Sequence, residues 1–75
     1  MFTHQYVIRL VDGLWHVRRD GRLITGQHSQ MEALRVAQSL AADAAARGER
    51  SRILVEDLDG TPIEFLIIEP EAQRA

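Results

Sequence analysis

Three Asp-Gly dipeptides divide the chain: Asp12-Gly13, Asp20-Gly21 and Asp59-Gly60. Each lies between short segments of alternating apolar and polar residues. Glycine supplies the positive φ that a tight strand reversal needs, so Asp-Gly between such segments predicts a hairpin. A two-residue turn at Asp12-Gly13 pairs Leu10 with Trp15, Ile8 with Val17 and Arg9 with His16. Ile8, Leu10, Trp15 and Val17 then share one face, and Val7, Arg9, His16 and Arg18 share the other. A slip of one residue would mix the two sets, so the pattern fixes the pairing. The turn at Asp20-Gly21 pairs Val17 with Ile24 and sets Arg18 beside Leu23. At the third dipeptide a two-residue turn would oppose Val55 to Glu64. A three-residue loop, Leu58-Asp59-Gly60 with a left-handed glycine, instead pairs Val55 with Ile63 and Ile53 with Phe65.

Between the second and third hairpins stands one helix. Ser29-Gln30-Met31-Glu32 is a capping box: the serine hydroxyl accepts from the Glu32 amide, and the glutamate reaches back to the amide of Ser29. The helix is expected from about Gln30 to Arg47, with Gly48 as its stop. Ala33, Leu34, Ala37, Leu40, Ala41 and Ala44 fall on one face, with Leu34 and Leu40 expected to carry most of its apolar burial. The fold class that follows is α+β of order βββαββ, a five-stranded, mainly antiparallel sheet with the helix on one face. Residues 1–70 are read as a single domain and Glu71–Ala75 as a flexible tail.

Composition narrows the classes of function. With no cysteine in 75 residues, disulfides and thiolate metal sites are excluded. The first residues carry no signal-peptide pattern, and the longest apolar run, Phe65-Leu66-Ile67-Ile68, falls far short of a membrane span. A soluble, cytoplasmic protein is the expectation. All nine basic residues are arginine, which with the many alanines suggests a GC-rich bacterial source. Residues 1–28 carry four Arg against two Asp, whereas residues 29–75 carry five Arg against nine acids.

Asp12-Gly13-Leu14-Trp15-His16-Val17, Ser29-Gln30-Met31-Glu32-Ala33 with Ala37 beyond it, and Asp59-Gly60 followed by Ile63-Glu64 resemble the pattern of a family of small bacterial proteins of unknown function. Its members show a Gly-Trp-x-Val strand, a Thr/Ser-Gln-x-Glu-Ala helix start and a late Asp-Gly hairpin. The resemblance spans roughly residues 6–64. It implies the small sheet-plus-helix fold and no established activity, so no functional residue carries over. The chain departs from the family in its last hairpin, which is acidic and apolar where members tend to be basic and polar.

Two surfaces are candidates for function. The last strand is apolar on both faces, with Ile63, Phe65 and Ile67 on one parity and Leu66 and Ile68 on the other, alongside Leu54 on the far face. A half-buried strand alternates cleanly, so the second face needs a cover. The covers considered are another copy of the chain, a different protein, or the chain's own N-terminal segment with Phe2. Leu54, Leu66 and Ile68 are the candidate interface of a homodimer or partner complex. The second surface is the outer face of the first hairpin, where Arg9, His16 and Arg18, with Thr25 near and Arg19 and Arg22 at the turn, could meet nucleic-acid phosphates. It lacks the exposed aromatics that stack on single-stranded bases, which makes it the alternative reading. His4, His16 and His28 are too widely spaced to point to zinc, and Ser29 is accounted for as a cap, not a nucleophile. The acids Glu56, Asp57, Asp59 and Glu64 lack calcium-loop spacing. The chain is therefore read as a non-enzymatic interaction module with no cofactor, no metal, no small-molecule substrate and no membrane partner.

Overall fold

The computed structural model describes residues 2–70. The tail expected over Glu71–Ala75 lies outside the described residues. The elements are β1 (His4–Val11), β2 (Leu14–Arg19), β3 (Arg22–Gln27), α1 (Gln30–Ala46), β4 (Ser51–Glu56) and β5 (Pro62–Ile68). The five strands form one sheet of order β3-β2-β1-β4-β5. Neighbours are antiparallel except β1 and β4, which run parallel. The helix makes that parallel pairing possible. It carries the chain from the β3 edge back across the sheet to lay β4 beside β1, touching all five strands on the way.

The Asp-Gly dipeptides turn as their chemistry requires. Asp12 and Gly13 have φ of 50° and 83°, and Asp20 and Gly21 have 52° and 85°, a left-handed pair at each two-residue turn. The β1–β2 register is the expected one, with Ile8 opposite Val17 and Leu10 opposite Trp15. At the last hairpin the Asp57 amide donates to the Thr61 carbonyl over 3.1 Å and closes a three-residue loop, in which Gly60 has φ 86°.

Two registers differ from expectation, each by one residue and each in an outer strand. Val17 lies opposite Thr25, not Ile24, while Arg18 does lie opposite Leu23, so Ile24 is the extra residue of a bulge in β3. Ile53 lies opposite Leu66, not Phe65, and Leu54 lies opposite Glu64, so Phe65 is the extra residue of a bulge in β5. A bulge resets the alternation of faces beyond it. Leu66 and Ile68 therefore turn to the helix side and pack against the core. Thr25, opposite Val17, also turns to that side, away from Arg9 and His16.

The core is Tyr6, Ile8, Val17 and Ile53 from the sheet, met by Ala33, Ala37 and Ala41 from α1. The alanines, with Ala44, are fully buried, whereas Leu34, Val36 and Leu40 flank the contact half-buried. The expectation that Leu34 and Leu40 carry most of the burial is thus corrected: the axis lies so close to the sheet that only a methyl group fits directly beneath it. The serine cap forms as expected, with Glu32 N–H donating to Ser29 Oγ at 3.1 Å, but the Glu32 carboxylate, expected on the Ser29 amide, instead accepts from Ser29 Oγ–H at 3.1 Å. Arg47 caps the other end and Gly48 leaves it with φ 83°.

Enlarging Ala37 is expected to destabilise the fold. In thermal or urea unfolding Ala37→Leu loses about 1–3 kcal/mol, because the added methylenes find no space against the sheet. Loss-free substitution at Ala37 would contradict the close seating of α1.

Candidate protein-interaction site

The order of strands makes β5 one rim of the sheet and β3 the other. Each rim presents a row of backbone groups to solvent, the usual starting point for strand addition. On β5 the rim is also apolar. Ile63 and Phe65 are each 53 % exposed. Phe65 owes its position to the bulge, which leaves its side chain outside the alternation that buries Leu66 and Ile68.

Beside Ile63 opens a cleft of about 410 Å³, lined by Leu10, Trp15, Val55 and Ile63 with Arg9 and Glu56 at its rim. It lies at the end of the sheet where α1 begins. The first turn of the helix is Gln30, Met31 and Glu32, all exposed, and Leu10 and Ile63 stay about half exposed. The hairpin beside the cleft is strongly acidic. A hydrogen bond shared with the Asp57 carboxyl, and hydrogen bonds from Thr61, push the Asp59 carboxyl down to about 2. Its charge therefore persists through any ordinary buffer.

The expected interface residues separate. Leu54 is buried on the face away from the helix, while Leu66 and Ile68 belong to the core side. Part of the open face is covered by the chain itself. The Arg50 guanidinium lies 4.2 Å and that of Arg52 5.0 Å from the centre of the Phe2 ring. Arg50 pairs with Glu69 at 3.0 Å, and Arg52 donates to Gln5 Oε1 at 2.9 Å.

The arginines of the first hairpin also separate. Arg9, His16 and Arg18 share the open face by register, whereas Arg19 and Arg22 oppose each other on the helix side. Arg9 sits 3.5 Å from Glu56, and Arg18 donates to the Gly21 carbonyl at 3.1 Å. The open face thus mixes both signs of charge.

Sequence reasoning weighed His4 only against zinc binding and missed its two carboxylate partners. Its Nδ1 lies 2.9 Å from Asp20 Oδ2 and its Nε2 lies 2.9 Å from Glu49 Oε1. A neutral imidazole has one N–H, so satisfying both carboxylates requires the imidazolium. This cation ties the start of β1 to the β2–β3 turn and to the connection after α1. The Asp20 carboxylate also accepts from the Gln5 amide at 2.9 Å, and Arg47 adds a contact to Glu49 at 3.2 Å. The hydrogen bonds to Asp20 and then Glu49 raise the His4 pKa above its ordinary 6.5. Burial, the largest single influence on Asp20, pushes its pKa upward, but the bonds from His4 and Gln5 together outweigh it and leave the carboxyl below its ordinary value. Glu49 is lowered chiefly by His4. With both ring nitrogens donating, His4 has no lone pair to act as a base.

No group of three or more side chains able to hold a metal gathers among the described residues. No helix among them is long and apolar enough to cross a membrane. The chain matches no protein family, no curated protein and no solved structure.

The His4 clamp sets a pH dependence. A raised histidine pKa gives stability that is complete below the unfolded value of 6.5 and is lost as pH rises through the folded value. The lowered Asp20 and Glu49 give stability that is complete above their ordinary values of 3.8 and 4.5 and is lost as pH falls. The stability difference between the native chain and His4→Ala is therefore expected to peak between pH ~4.5 and ~6.5 and to shrink on both sides. Urea unfolding midpoints across pH 3–9 measure it; a difference independent of pH would contradict the clamp.

Proposed function

We propose that the chain is a non-enzymatic protein–protein interaction module that self-associates through its last hairpin. The observation that carries this reading is the outer rim of β5, an edge strand that pairs with β4 on one side and has Ile63 and Phe65 each 53 % exposed. Large apolar side chains on an open strand edge favour pairing with another chain, because strand addition satisfies the backbone and removes the side chains from water together. The cleft beside Ile63 extends that apolar surface around the end of the sheet.

The contact runs along the rim and not over a face. Leu66 and Ile68 support the core from the helix side, so they hold the hairpin in place while Phe65 and Ile63 meet the partner. The β5 bulge interrupts the flat stretch of backbone, so few main-chain bonds form at once and the association is reversible.

Light scattering on a sizing column, across a wide concentration range, tests this reading. The native chain is expected to gain mass with concentration. Phe65→Arg should remain folded and stay at the mass of one chain. Leu66→Glu should instead lose about 2 kcal/mol of stability, because it places a charge against the core. A native chain of constant single-chain mass, or a Phe65→Arg variant that still associates, would refute self-association through this rim.

A further inference from the structure

The two carboxylates on His4 are not equally held by the rest of the chain. Asp20 is fixed to the start of β1 without help from the ring. Its amide donates to the Gln5 carbonyl and its Oδ1 accepts from the Gln5 amide, both over 2.9 Å. The Glu49 carboxyl, among the described residues, accepts from side chains only. Its Oε1 is shared, accepting from His4 Nε2 at 2.9 Å and from Arg47 Nη2 at 3.2 Å. Glutamate also has one torsion more than aspartate, so its own backbone holds the carboxyl less firmly.

We propose that His4 is a one-sided pH latch: when the ring gives up its proton it keeps Asp20 through Nδ1–H and releases Glu49 to Arg47. The proton leaves Nε2 for solvent. A neutral imidazole has a single N–H, and a lone pair facing a carboxylate across 2.9 Å repels it, so one of the two bonds breaks. The anchored carboxylate stays and the shared one goes. The charged groups facing the ring are Asp20, with Arg19 before it in β2, and Glu49, with Arg47 beside it after α1. Arg47 is the cation that remains on Glu49 once the ring N–H is lost. Arg50 turns its guanidinium to Phe2 and Glu69, β4 sets the uncharged Ser51 opposite His4, and the Tyr6 ring lies 6.4 Å away along β1. The hydrogen bonds to Asp20 and Glu49 raise the His4 pKa above its ordinary 6.5, so the release is centred above that pH.

The release reaches one junction only. The Thr3 and His4 amides donate to the Arg50 carbonyl at 3.0 and 3.1 Å, and the Arg50 guanidinium lies over the Phe2 ring. Arg50 follows Glu49, so freeing Glu49 removes a charged tie across this junction. The bonds between Gln5 and Asp20 lie outside it and remain. Raising the pH therefore loosens the start of the chain where it meets β4, while β1 stays fastened to the β2–β3 turn.

Two NMR measurements on the whole chain test the latch. The chemical shifts of the His4 ring nitrogens, followed from about pH 5 to 9, report which nitrogen keeps the proton. The neutral ring is expected to carry it on Nδ1. Amide exchange with solvent, corrected for the ordinary pH dependence of exchange, reports the junction. Protection at Thr3 and His4 is expected to fall about tenfold as the ring titrates, the scale of one lost charge-assisted hydrogen bond, while Gln5 keeps its protection. Glu49→Gln is expected to abolish that fall, because a carboxamide can accept from the imidazolium and donate to the neutral ring. Arg47→Ala removes the competing cation and is expected to move the His4 titration to higher pH. A neutral ring protonated on Nε2, or a His4 titration unmoved in Arg47→Ala, would overturn the release of Glu49 to Arg47. Equal loss of protection at Gln5, no loss at Thr3 and His4, or the same loss in Glu49→Gln would overturn the latch itself.

Discussion

The contact between an alanine stripe and the middle of the sheet governs this fold. Ala33, Ala37, Ala41 and Ala44 are fully buried, and beneath them lie Tyr6, Ile8, Val17 and Ile53. Bulk is supplied from the strands and closeness from the helix, so the packed volume concentrates on β1, β2 and β4. In a chain this small little apolar surface remains to cover more. The stripe begins at Ala33, and the exposed residues ahead of it leave Leu10, Trp15 and Ile63 lining an open cleft. The seating that stabilises the centre thus leaves one end of the sheet uncovered.

How much of this was legible in the sequence depends on the range of the interaction. The Asp-Gly turns and the Ser29–Glu32 cap are local chemistry, and they appear where the residues placed them. The β1–β2 register was also legible, because a slip would have moved Ile8 and Val17 to the wrong face. The outer registers were not. Leu23-Ile24 and Phe65-Leu66 are adjacent apolar pairs, and a pattern of alternation cannot choose between neighbours that are both apolar. Bulges settled the ambiguity, exposing Phe65 and turning Leu66 and Ile68 inward. The His4 clamp was illegible for a different reason. Asp20 and Glu49 lie 16 and 45 residues from His4, and only the finished topology brings the three together.

The clamp and the rims divide the molecule into parts of different character. At one end, His4 ties three segments through two charged hydrogen bonds of 2.9 Å, and this end depends on protonation. At the other, the cleft and the acidic hairpin stay open, with exposed apolar side chains and a carboxyl that does not titrate in ordinary buffers. Along the sides, the β3 and β5 rims both carry exposed apolar residues. Sheet proteins commonly carry charges and bulges on their outer strands, which prevents indiscriminate pairing. Here both devices are present, with bulges at Ile24 and Phe65 and charges at Arg22 and Glu64 on the outer strands.

The parallel pairing of β1 with β4 bears on the order in which the chain can fold. The three N-terminal strands are joined by two-residue turns and can meet quickly, but their apolar face has no cover until α1 follows. The central position of β1 is completed only when Tyr6 meets Ile53 across the helical crossover. Contacts so far apart in sequence form late and slow the overall rate. During synthesis the first half would leave the ribosome as a meander with Ile8 and Val17 facing water, and it would be sealed only as β4 emerged. The same pair of strands that sets the middle of the finished sheet thus defines the interval in which the nascent chain is most open to misassociation.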